Sequence, residues 1–253
     1  MEFLNKDTFF TALLWIVTTV IGEVLAFLYK GSLFTVQGSE QAIIIDEAFF
    51  LLTILGIPVF ALVLAMIVYS LLRFRANNAS EEDAKPVKFH SKWAWSWLAW
   101  STVLCLFVIV TPGYTGLMDL RSTAEDTPDL TIEVTGQKWQ WVFKYPDQGI
   151  TLIRKDEVLV LPNESLIRFE ITSLDNDVLH SFWIPAFRQK IDAIPGHKTT
   201  LDVTTNRIGS YEDSTTYRVQ CTELCGIGHS TMATNVKVVS KEEFAKWVTD
   251  KQN

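Results

Sequence analysis

The rhythm of hydrophobic positions changes once along the chain. Up to about residue 118 apolar residues come in long unbroken runs, at 9–29, 48–72 and 93–111. Each is about the length of the roughly 20-residue helix that crosses a hydrocarbon core of about 30 Å. The second and third runs predict a transmembrane hairpin. The first, interrupted only by threonines, Gly22 and Glu23, predicts an extra transmembrane helix or a signal peptide. Its leading residues 1–7 lack a positive balance, its apolar stretch is long for a signal peptide, and no Ala-x-Ala follows Lys30, so a retained helix is the reading adopted. Glu23 is then expected against a partner helix or at the membrane edge, because a lipid-facing carboxylate is costly.

The flanks of these runs give an orientation. Arg73, Arg75, Lys85, Lys88 and Lys92 lie between the second and third runs, whereas 30–47 holds one basic residue. The positive-inside bias places 73–92 in the cytoplasm and everything after the third run outside. Trp93, Trp95, Trp97 and Trp100 crowd the start of the third run as an interfacial aromatic belt. Pro58 should kink the second helix. Thr111-Pro112-Gly113 should end or bend the third, leaving a linker up to Asp129.

From residue 130 the period becomes two. Alternation at 131–134, 138–145, 158–161, 166–171, 199–203 and 235–239 predicts strands, with turns at Pro146-Asp147, Pro162-Asn163, Pro195-Gly196 and Asn206. Short strands so punctuated argue an antiparallel sandwich or barrel. Trp139, Trp141, Phe143 and Tyr145 share one parity and are expected on one face, as core. Ser240 with Glu243 ahead of Phe244 and Trp247 reads as a capped terminal helix. Three regions follow: 1–47 with the extra helix and connector, 48–118 with the hairpin, and 119–253 with the outward domain.

Composition adds two restrictions. Formal charge is −7, which disfavours nucleic acid as a partner. The chain has three cysteines, so at most one disulfide can form, and it has no Cys-x-x-Cys-His for attached haem. Cys105 lies in an apolar run and reads as a packed thiol. Cys221 and Cys225 lie in Cys-Thr-Glu-Leu-Cys-Gly-Ile-Gly-His-Ser-Thr-Met over 221–232. Two thiolates, the His229 imidazole and the Met232 thioether suit copper. A disulfide or a zinc site is the plainer alternative, but zinc sites more often put two residues between paired cysteines and have no use for methionine. Bridging thiolates would spread charge over two ions, so each bond changes little on oxidation.

This loop resembles the binuclear copper loop of the cytochrome c oxidase subunit II family. Asp-Val-Leu-His-Ser-Phe-Trp-Ile-Pro at 177–185 and Asp-Ala-Ile-Pro-Gly at 192–196 match further motifs of that family, and the resemblance runs from about Asp46 to the C-terminus. It implies a membrane-anchored chain in which N-terminal transmembrane α-helices precede an all-β cupredoxin-type Greek-key barrel. Its metal ligands would be His180, Cys221, Cys225, His229, Met232 and the backbone carbonyl of Glu223, holding two copper ions. The Glu223 side chain would reach a Mg²⁺ or Mn²⁺ shared with subunit I. Trp139 would be where electrons arrive from cytochrome c or a similar carrier.

The implied function is electron input to a respiratory haem–copper oxidase in a bacterial plasma membrane, with the copper domain on the periplasmic side. Subunit I would reduce oxygen, and other subunits would complete the complex. A quinol oxidase subunit II or a membrane-anchored copper-binding protein are the alternatives; the first lacks copper ligands, and the second would favour a Met-rich surface, whereas the chain has four methionines.

Two features depart from the family pattern. Forty residues separate His180 from Cys221, more than usual, and the excess is expected in a polar surface loop at 206–216. The stretch 93–100 has no carboxylate where many members carry a glutamate at the mouth of a proton path. His90 and His197 fall outside the ligand set. Over 119–253 there are 20 acidic and 15 basic residues, a net of −5, which suits a basic donor. By family position, Asp156 and Asp177 are candidate docking acids, with solvated loop charges as the alternative.

Overall fold

The computed structural model describes residues 6–75, 91–122 and 127–253. Lys85, Lys88 and His90 lie outside the described residues. Internal contacts divide the chain into two units, Met1–Leu33 with Glu47–Gly116 and Phe34–Asp46 with Leu117–Asn253.

The first unit is helical. It contains α1 (Lys6–Leu28), the short α2 (Lys30–Leu33), most of α3 (Glu40–Arg73) and α4 (Ser91–Val108). Three stretches, Lys6–Leu28, Glu40–Arg73 and Ser91–Arg121, are long and apolar enough to cross a membrane. Their large side chains, among them Phe60, Leu72 and Trp100, point outward, as lipid or neighbouring subunits allow and water does not.

The first run is packed into this unit. At one end Tyr69 Oη donates to Asp7 Oδ1 at 2.7 Å, and Arg73 Nε donates to the same oxygen at 3.1 Å. In the middle Trp15 Nε1 donates to the Pro58 carbonyl at 2.8 Å. Further along, a Cβ on Gly22 would stand 2.8 Å from Ile57 Cγ2, so the glycine lets two helices approach closely. Glu23 is half-buried. Helix α3 runs through Pro58 without a break. Thr111-Pro112-Gly113 bends its helix and does not end it. Thr111 leaves helical geometry (φ −131°, ψ 112°) inside a widened turn, Ile109–Tyr114. The chain then resumes as α5 (Thr115–Ser122); of the linker expected over 122–128, residues 123–126 lie outside the described residues.

The second unit is built of two sheets on one core. Strands β1 (Leu130–Gln137), β2 (Gln140–Tyr145), β3 (Ile150–Leu152), β5 (Leu166–Ser173) and β8 (Thr199–Thr204) form the first, in the order β3-β2-β1-β5-β8. The second runs β4 (Leu159–Pro162), β11 (Ala233–Val239), β10 (Arg218–Cys221), β6 (His180–Trp183), β7 (Lys190–Ala193), with β9 (Gly209–Ser210) also on β11. Helix α6 (Lys241–Gln252) closes the chain.

Burial alternates along β1 and β5, as period-two patterning requires, and Ile132, Val134, Phe143, Tyr145, Phe169 and Ile171 fill the core. The pairing is not wholly antiparallel: β1 runs parallel to β5, and β4 parallel to β11. Such crossings are what the expected cupredoxin-type barrel needs and what local alternation cannot reveal.

Three further details matter. Trp139 does not continue the strand; with Lys138 it makes the two-residue turn between β1 and β2. The 206–216 loop is not all surface, since Gly209 and Ser210 are buried and paired with β11. Ser240 and Glu243 make the expected capping box on α6, whose Phe244 and Trp247 pack on Tyr145. Connector residues 34–46 join this unit through Arg188, which bonds both carboxylate oxygens of Asp46 and the carbonyls of Thr35 and Val36.

Candidate metal centre

His180 opens β6 and Cys221 ends the neighbouring β10, so the second sheet itself sets these two side chains side by side. The 222–232 loop returns to its own start: Cys221 N–H donates to the Met232 carbonyl at 3.1 Å, and Thr222 N–H to Ser181 at 3.0 Å. Tight turns within it, His229 N–H to Gly226 and Met232 N–H to His229, bring His229 and Met232 inward. Gly226 sits at φ +113°, where a side chain would be strained.

The loop thereby gathers all six groups named from the sequence. The sulfurs of Cys221 and Cys225, both free thiols, are 3.8 Å apart. His180 Nδ1 lies 3.8 Å from Cys221 Sγ, and His229 Nδ1 lies 3.6 Å from Cys225 Sγ. Met232 Sδ is 3.9 Å from Cys225 Sγ, and Cys221 Sγ is 3.2 Å from the Glu223 carbonyl. His180, Cys221, Cys225 and Met232 are buried, whereas the Glu223 side chain is exposed. Among the described residues, the His/Cys/carboxylate grouping that could hold a metal joins His180, Cys221 and Cys225; exposed His197 is outside it.

Burial, reinforced by the neighbouring Cys221, pushes the Cys225 thiol up to about 12. Burial also pulls His180 below the usual imidazole range, against the opposing pull of Asp177. Two soft sulfurs out of water, each facing an imidazole nitrogen, with a thioether beside one, fit copper better than zinc.

Trp139 packs on this loop. Its Nε1 donates to the Cys225 carbonyl at 3.1 Å. A Cβ on Gly228 would stand 2.5 Å from its Cγ and Cδ2, so a glycine is required for the ring to lie there. Gly136 gives room to His180 less tightly: an added Cβ would lie 3.0 Å from its Cδ2, a contact that a shift of a few tenths of an ångström would relieve. Sequence reasoning passed over Gly136, and nothing local marks it.

The two docking candidates separate. Asp156 is 67% exposed and paired with Arg154, whereas Asp177 is 9% exposed. Burial pushes the Asp177 carboxyl up, but N–H groups of Lys138 and Val178 and the charges of His180 and Lys138 hold it below the usual range.

Comparison with known proteins identifies relatives. Residues 147–239 match the family profile described as cytochrome C oxidase subunit II, periplasmic domain. A probable cytochrome c oxidase subunit 2 from Rickettsia bellii is 32% identical over 209 residues, covering 75% of this chain and 72% of its own. A heme-copper oxidase subunit 2 from Aeropyrum pernix is 34% identical over 209 residues, covering 78% of this chain and 85% of its own. The crystal structure of the periplasmic domain of subunit II of cytochrome oxidase from Bradyrhizobium japonicum is 35% identical, covers 50% of this chain and 96% of that one, and gives a TM-score of 0.44.

Proposed function

Because the chain belongs to the cytochrome c oxidase subunit II family, we propose that it is the electron-input subunit of a respiratory oxidase, passing electrons from cytochrome c or a similar carrier through a binuclear copper centre to the oxygen-reducing subunit I. The observation that carries this reading is the pair of free, buried thiols 3.8 Å apart, each with its own imidazole Nδ1. Cys221 and Cys225 would hold two copper ions as shared bridges, His180 and His229 as end ligands, and Met232 and the Glu223 carbonyl as weak ligands. Bound there, the copper pair would supply a one-electron carrier whose charge is shared across both sulfurs.

The chain's own residues do the rest. Burial of both sulfurs excludes water, and hydrogen bonds within the loop hold the donors toward one another. The hydrogen bond from Trp139 to the Cys225 carbonyl supports reading Trp139 as the point where electrons would arrive. The exposed Glu223 side chain is free to reach a Mg²⁺ or Mn²⁺ at the subunit I interface. Arg73, Arg75 and Lys92 support a cytoplasmic side for that end of the hairpin, and hence an outward, periplasmic copper domain on a bacterial plasma membrane. A quinol oxidase subunit has no need of this donor set, and a copper store has no need of a buried one.

The purified full chain loaded with copper should hold two ions and give a mixed-valence electron paramagnetic resonance spectrum. Cys221→Ser or Cys225→Ser should abolish the coupled signal, because a hydroxyl is a poor bridge for soft copper. One ion with a single-copper spectrum in the parent chain would sink the proposal.

A further inference from the structure

Asp177 stands where the turn that carries Trp139 meets the histidine that faces Cys221. Its Oδ2 accepts from the backbone N–H of Lys138 at 2.8 Å, and its Oδ1 from its neighbour Val178 at 2.7 Å. Lys138 Nζ lies 3.5 Å from Oδ1. His180 Nε2 lies 3.9 Å from the same oxygen. That nitrogen is buried and has no hydrogen-bond partner. Since Nδ1 is turned toward Cys221 Sγ, Nε2 is the ring nitrogen left to carry the proton, and the Asp177 carboxylate is the charge 3.9 Å from it.

We propose that Asp177 is a positioning residue that orients His180 and braces the Trp139 turn, and that it is not a docking acid for the electron donor. This rests on the copper reading of the site. A carboxylate behind a ligand imidazole fixes its ring orientation and makes it more electron-rich. Asp177 does this while its other oxygen holds the residue just before Trp139, so one side chain sets both the copper ligand and the aromatic ring beside the loop. Its acceptor capacity goes to the protein's own N–H groups and its surface is covered, which leaves little charge for a partner to feel. Asp156, on a different turn and ion-paired with Arg154, is the more exposed of the two.

The charge has a sign that can be tested. A negative group behind His180 favours the oxidised, more positive site, and Lys138 beside it opposes that effect. Asp177→Asn keeps the shape and an acceptor for Lys138 N–H while removing the charge. In the copper-loaded full chain it should favour the reduced state about tenfold, an upward shift of about 59 mV for a one-electron couple. Pulsed paramagnetic resonance should show a changed coupling to the remote nitrogen of His180. The salt dependence of association with reduced donor should keep its slope.

An unchanged potential and nitrogen coupling together with a flattened salt dependence would make Asp177 a docking acid and overturn the proposal. Should Asp177→Asn fail to fold or load, Lys138→Met decides. It removes only the opposing cation, so a downward shift with copper retained supports the proposal, and an unmoved potential overturns it. Absence of a copper pair in the parent chain defeats the reading of the site itself. A copper pair in the parent with neither variant shifted defeats only the role of Asp177.

Discussion

Replacing Gly228 with alanine would put a methyl carbon 2.5 Å from both Cγ and Cδ2 of Trp139 and 2.9 Å from its Cβ. Carbon atoms rest about 3.5–4.0 Å apart, so the ring or the loop must move by roughly 1 Å. The backbone adds no cost of its own, because Gly228 sits at φ −91° and ψ 9°, which any L residue can adopt. Trp139 cannot retreat freely: its Nε1 is bonded to the Cys225 carbonyl, and its ring packs against the buried core. The penalty is therefore that of overpacking, about 1–3 kcal/mol.

Denaturant unfolding of the purified full chain would measure this cost, provided the same substitution is also made with Trp139→Gly. Glycine is needed in that background, since even alanine keeps the Cβ that lies 2.9 Å away. There the cost should nearly vanish, giving a coupling energy of at least about 1 kcal/mol. Gly226→Ala is the control: its φ of +113° makes alanine costly whether or not the ring is present. Equal costs for Gly228→Ala in both backgrounds would refute the claim that Trp139 and the metal loop form one packed unit.

Met232→Leu should keep two copper ions but shift the potential of the centre, as measured by redox titration, because a buried weak sulfur ligand is lost while the volume is nearly kept. Trp139→Gln with intact copper should slow electron transfer from reduced donor in rapid mixing and leave the salt dependence of association unchanged; transfer at the parent rate would make Trp139 packing alone. Glu157 is held below the usual carboxyl range by a hydrogen bond from Lys251, opposed by burial and helped by the N–H groups of Arg154 and Ile153. A depressed folded value means stabilisation that is present above the unfolded pKa of about 4.3 and lost as pH falls through the folded one. Glu157→Gln should thus cost about 1 kcal/mol in unfolding experiments at pH 7 and nothing in strong acid. The bonds from Tyr69 and Arg73 to Asp7 and from Trp15 to Pro58 make α1 part of the helical unit, so intact mass of the membrane-extracted chain should include it; a chain starting near Gly31 would contradict this.

What the sequence revealed depended on how many faces of an element are buried. Strands β1 and β5 have one buried face each and alternate visibly. β6 is buried on nearly every residue and opens with His180 and Ser181, so it has neither alternation nor an apolar run to betray it. β7 and β10 have four residues each, too few for a period to emerge. The sheet that carries the metal site was thus the less legible one. The candidate ligands on the 221–232 loop were named from their spacing, whereas His180 needed a family motif, because its neighbour Cys221 is forty-one positions away. Asp177 looked like a surface acid for a related reason: its burial comes from the β1–β2 turn, and nothing near residue 177 announces that turn.

The same geometry explains why such a loop can be both rigid and open to a partner. Backbone N–H groups at Cys221, Thr222, His229 and Met232 are paired to the neighbouring strand or to turns within the loop. The residues between them point away, and Leu224 and Ile227 are 79% and 96% exposed while Cys225, between the two, is buried. Alternation that normally separates core from solvent here separates ligands from a surface. A redox centre needs this separation, because ligands that moved with each electron would add reorganisation to every transfer, while a centre buried on all sides would be too far from its partners. The glycines at 226 and 228 make both possible: one takes the backbone through a turn that a side chain would strain, and the other leaves the space in which Trp139 lies against the loop.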